Sequence, residues 1–139
     1  MNLNTTQFES GPFFQYIVSG TQAEFRGDIA AASDCYQQAW QLVRDDYESC
    51  IVAHYLARVQ SNPADQLQWN FNALQFALRL EDQRIASFLP SLYLALGQSY
   101  ELNDDPQTAA HYFAVAEKLG IHHDEQNNTA WMLIQAHSK

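Results

Sequence analysis

SLYLALGQSYELNDDPQTAAHYFAVAEKLG, residues 91–120, carries the pattern that decides the fold. In it Tyr93-x-x-Leu96-Gly97-x-x-Tyr100 is followed by Ala109-x-x-x-Phe113 and Ala116. An α-helix completes a turn in 3.6 residues, so steps of three and four put Tyr93, Leu96, Gly97 and Tyr100 on one face of a first helix. Ala109, Phe113 and Ala116 form the matching stripe on a second. Gly97 has no Cβ, which lets the second helix's backbone come close.

The same pattern stands in QYIVSGTQAEFRGDIAAASDCYQQAWQL, residues 15–42. Tyr16 and Gly20 lie on its first helix, Gly27-Asp28 at the turn, and Ala32-x-x-x-Tyr36 and Ala39 on its second, while Ser19 and Ala23 replace the Leu and Tyr of the other copy. A weaker copy runs from Tyr47 to Leu80, with Cys50, Ala53, His54 and Ala57 on its first helix and Ala73 on its second. Its register is that of the first copy, since Tyr16 to Cys50 and Ala39 to Ala73 are both 34 residues. Gln66 and Asn70 occupy its Ala and aromatic places. From Cys50 to Tyr93, and from Ala73 to Ala116, the step is 43, so nine extra residues separate the second and third copies. They are expected near residues 81–89, where Ile85, Phe88 and Leu89 suggest added helical turns. Pro90 disfavours helix at the preceding residue, which predicts a kink or break near Leu89.

A period of 34 residues with this signature resembles the tetratricopeptide repeat. The resemblance spans about residues 13–120 and is most complete in the third copy. It implies an all-α fold, a right-handed superhelical solenoid of antiparallel helix pairs. The expected organisation is an N-terminal extension over 1–12, three repeats at about 13–46, 47–80 and 90–120, and a capping helix within 121–139. Expected helices are 13–26, 28–44, 46–60, 63–80, 89–102, 105–119 and 124–137. The last would begin at an Asp124 cap and cover the third pair with Trp131, Leu133 and Ile134, because an uncapped solenoid exposes the apolar face of its last unit.

Such a solenoid offers a concave groove lined by the first helix of each pair, which in this family receives an extended peptide or a partner helix. Positions one, five and eight residues after each signature aromatic would face it: Ile17, Thr21 and Glu24, then Ile51, Tyr55 and Arg58, then Leu94, Gln98 and Glu101. One turn earlier stand Phe14, Glu48 and Ser91. The groove is expected to be apolar along Phe14, Ile17, Ile51 and Leu94, with Tyr55 central and mixed charge at the other edge, its apolar side chains either open to a partner or partly covered by Gln7 to Pro12 or by a second copy of the chain. A subgroup of the family grips carboxylate tails with Lys, Arg and Asn. Here Ile17, Thr21, Val52, Ser91 and Ala95 hold those places, which argues against that ligand.

Composition limits the alternatives. Sixteen acidic residues against seven Lys and Arg give a net charge of −9, and the cations are scattered, so nucleic acid and anionic membrane are poor partners. The first twenty residues carry no basic residue, and no apolar run approaches the roughly 18 residues of a membrane span, so a cytoplasmic protein is expected. Cys35 and Cys50 fall within helical patterns and read as reduced thiols. No glycine-rich phosphate loop, Cys-x-x-Cys or nucleophile elbow occurs, so neither an enzyme nor a cofactor is expected. His122-His123-Asp124-Glu125, with His111 nearby, is a row of metal-ligand types, but adjacent histidines diverge, and a polar loop with a helix cap is the better reading. His54, at the usual Gly or Ala place, is expected to be wedged between helices with a hydrogen-bond partner. Trp40, Trp69 and Trp131 read as core. The function these readings favour is a protein-protein interaction module, an adaptor holding a hydrophobic or amphipathic peptide or helix. The alternative is a self-associating structural or regulatory subunit, a homo-oligomer such as a homodimer.

Overall fold

The structure, a computed structural model, describes residues 11–80 and 83–120. Among the described residues every regular element is an α-helix, and there are six: α1 (Pro12–Phe25), α2 (Ile29–Gln41), α3 (Asp46–Arg58), α4 (Pro63–Leu78), α5 (Gln83–Leu102) and α6 (Pro106–Lys118). The expected capping helix over 124–137, the histidine row and most of the N-terminal extension lie outside the described residues.

Local chemistry starts these helices, α5 excepted, within one residue of where the sequence predicts. Asp28, Asp45, Asn62 and Asp105 are N-caps whose side-chain oxygens accept from the backbone N–H of Ala31, Glu48, Ala64 and Thr108, at 3.1, 2.8, 2.7 and 3.2 Å. Pro12, Pro63 and Pro106 stand at first helical positions, where a missing N–H costs nothing. Equivalent turns close the first and third pairs. After α1, Asp28 N–H donates to Ala23 C=O and Gly27 N–H to Glu24 C=O, while after α5 Asp105 N–H donates to Tyr100 C=O and Asp104 N–H to Glu101 C=O. Both turns need a left-handed residue, Gly27 at φ 79° and Asp104 at φ 60°. The second pair lacks this turn, and there the Gln66 amide donates to Gln60 C=O at 2.7 Å.

Consecutive helices pack on one another, most extensively as α1 with α2, α3 with α4, and α5 with α6. Phe14, Ile17, Tyr36, Tyr47, Ile51, Tyr55, Phe88 and Leu96 anchor the main core, and Trp40 meets Trp69 edge-on with centroids 5.3 Å apart. Gly20 and Gly97 serve a close approach, as the spacing suggests. The neighbour that takes the space is an aromatic ring, Tyr36 and Phe113 respectively, rather than a backbone.

The added helical turns expected at Ile85, Phe88 and Leu89 are present, whereas the expected break is corrected. No helix ends near Leu89: α5 runs through Pro90 from Gln83 to Leu102, so the extra residues lengthen the first helix of the third pair. The proline removes one helical hydrogen bond, but Ile85 and Phe88 before it and Leu92 and Leu96 after it are all buried, and that burial outweighs the local preference. Arg84 adds a guanidinium over the Tyr47 ring, 3.9 Å from its centroid.

Candidate functional site

The first helices do not present one uniform face. Most of the expected groove stripe is interior: Phe14, Ile17, Ile51, Tyr55 and Leu94 are at most 2% exposed, and Thr21, Glu48 and Ser91 are buried as well. The expectation that this apolar edge and Tyr55 form open surface is therefore corrected. Helical period identifies a shared stripe but not the depth at which neighbours cover it. Phe14, Ile17, Ile51 and Tyr55 belong to the main core, and Leu94 packs with Ala116, Tyr93 and Phe113. Glu48, fully buried, is paired with Arg44, whose Nη2 lies 2.7 Å from its Oε2.

Towards the C-terminal ends the helices part and leave a pocket of about 270 Å³. Glu24 of α1, His54, Ala57 and Arg58 of α3, and Ala95, Gln98, Ser99 and Leu102 of α5 form its walls, and α4 contributes Gln66 and Asn70. Of the sequence-predicted site residues, Glu24, Arg58 and Gln98 thus come together, while Glu101 is exposed one turn beyond Gln98 and does not line the pocket. The others of that set are interior.

Polar contacts fix the walls. Arg58 Nε donates to Glu24 Oε2 at 3.1 Å, joining equivalent positions of the first and second copies. The Tyr36 hydroxyl donates to the same carboxylate, and burial, reinforced by that hydrogen bond, pushes the phenol's pKa far up. Tyr36 and Tyr55 rings lie 5.5 Å apart. Across the pocket, Asn70 Nδ2 donates to Ser99 Oγ at 2.6 Å.

His54 is the anomaly. It is 1% exposed, meets the Tyr55 and Phe88 rings edge-on, and has no hydrogen-bond partner at either ring nitrogen, so the expected partner is absent among the described residues. Burial and then the Arg58 charge lower its pKa from 6.5 to about 3, which keeps the ring neutral at physiological pH. With Glu24 and Arg58 offsetting each other, the pocket walls carry no net charge. Ser91 Oγ is likewise buried without a partner.

The sequence did hold a signal for the residues it failed to nominate. His54, Gln66 and Asn70 are the middle copy's departures from the pattern, and all three line the pocket. Among the described residues no group of three His, Cys, Asp or Glu side chains could hold a metal, and no helix is long and apolar enough to cross a membrane. No protein-family model, curated protein or solved structure matches the chain.

Proposed function

We propose that the chain is a tetratricopeptide-type interaction module, a superhelical array of three helix pairs that holds a peptide or helical segment of another protein in its concave groove. The observation that carries this reading is the pocket at the C-terminal ends of α1, α3 and α5, which draws on the first helix of every pair. Two free thiols suit work in a reducing compartment such as the cytoplasm. Holding a segment needs no reactive group, and the pocket offers donors, acceptors and shape. A photo-cross-linking residue at Gln98 should capture a partner that the same residue at the exposed, outward Gln37 does not. Equal capture at both positions would sink the groove reading.

Self-association is the second reading, favoured by exposed apolar residues at equivalent turn positions, Phe25 at 75% and Leu102 at 59%. Light scattering on the purified chain separates the two, since a monomer at all concentrations excludes the second.

A further inference from the structure

Three positions fall in register when the copies are aligned on their 34- and 43-residue steps. The first copy has Gly20, Ala32 and Tyr36, the third Gly97, Ala109 and Phe113, and the second His54, Gln66 and Asn70. In the outer copies these positions close-pack: each glycine sits against the aromatic ring, and both alanines are buried. The middle copy inverts the bulk. An imidazole replaces the glycine, and the ring that would press on it becomes the shorter, polar Asn70. The consequence is space where the outer copies are solid, and the three polar replacements converge on that one space.

That arrangement is costly as packing, because His54 keeps two buried nitrogens without partners. It is intelligible as a seat. Resting on the interaction-module reading, we propose that the pocket receives one uncharged hydrogen-bonding side chain of the held segment, the carboxamide of an Asn or Gln. Size supports a single side chain, since about 270 Å³ lies below the roughly 300–1,000 Å³ of small-molecule sites. Charge supports a neutral one. Glu24 already neutralises Arg58, and His54 cannot supply a cation, so a carboxylate or an ammonium would enter without a net counter-charge. Available groups support an amide, which both donates and accepts. Arg58 uses only Nε on Glu24, leaving its terminal nitrogens as donors, and Gln98 makes no side-chain hydrogen bond among the described residues. Gln66 and Asn70 each place one N–H on the chain, at Gln60 C=O and Ser99 Oγ, and their carbonyl oxygens are left as acceptors.

The test uses the full chain with N-acetyl-glutamine methylamide, and with the glutamate and lysine analogues, followed through the side-chain amide NMR signals of Asn70 and Gln98. Saturable shifts with the glutamine compound are expected, with affinity at least about tenfold weaker for both charged analogues. The double variant His54→Gly, Asn70→Phe restores the packing of the outer copies. It should melt at or above the temperature of the parent chain and lose fragment binding, read at Gln98. Should it not fold, Gln66→Ala, which restores the alanine of the other copies and removes one acceptor, should weaken the glutamine compound about tenfold. The seat is overturned if no compound saturates, if a charged analogue binds as well, or if the refilled variant still binds. Failure of the module reading is seen separately, as absence of partner capture through Gln98 in a chain whose fragment binding is intact.

Discussion

Gly97 and Phe113 approach so closely that a Cβ on the glycine would lie 2.7 Å from ring carbons Cδ1 and Cε1. Phe113 belongs to the helix that follows and packs there against Leu94 and Ala116, so a side chain on Gly97 must displace its ring from that contact. Gly97→Leu should overpack this contact and cost about 1–3 kcal/mol. Urea denaturation of the variant checks it, and an unchanged midpoint would refute the assigned pairing of α5 with α6.

Tyr55→Ala is expected to act on folding. At 1% exposure, between Tyr36 and His54, the side chain is core, and its removal should destabilise the chain by about 3–5 kcal/mol. Arg58→Ala should leave stability within about 1 kcal/mol, because a partly exposed ion pair contributes little. Comparing the two by thermal melts distinguishes interior from pocket wall.

His54 gives stability a pH dependence of known sign. Its folded pKa is depressed to about 3 from 6.5, so the native state binds fewer protons than the unfolded one between those values. The contribution is therefore complete above pH 6.5 and is lost as the pH falls towards 3. Between about pH 7.5 and about pH 5 the loss should reach roughly 2 kcal/mol. His54→Ala should flatten that slope, and denaturation at the two pH values decides the matter.

Asp104 holds a left-handed backbone at φ 60° in the turn where the first pair uses Gly27. Asp104→Gly should relieve that conformation and raise stability by about 0.5–1 kcal/mol. Gly27→Ala should lower it by a similar amount, although a Cβ there would meet nothing within 4 Å, because the cost lies in the backbone. Opposite shifts in melting temperature are the expected readout.

The elements were legible where cap and breaker stand together. Asp45 before α3 and Asn62-Pro63 before α4 mark the starts at Asp46 and Pro63 that the pattern predicts. The start of α5 was legible only in part: the spacing of Ile85 and Phe88 suggested added turns, but Pro90 is a local signal to stop, and what carries the helix through it is their burial against residues distant in sequence. The same limit governs the candidate site. Periodicity placed Ile17, Thr21 and Glu24 on one stripe, but only packing decides that the first two are interior and that Glu24 reaches the pocket. His54, Gln66 and Asn70 looked like a weakened copy of a packing motif, and their meeting in one pocket becomes visible only once α3 and α4 are side by side.

The length of α5 has a mechanical consequence. At 20 residues it spans about 30 Å, and its early turns bring Arg84 onto Tyr47 and Phe88 onto His54, both on α3, while its later turns carry Gly97 onto α6. In an array where each unit touches only its neighbour through short helices, the end units can fray one at a time. Here a single helix serves as a splint across the second and third pairs, so melting of α6 cannot propagate through α5 without also uncovering the His54 wall. The two pairs should therefore unfold as one cooperative block.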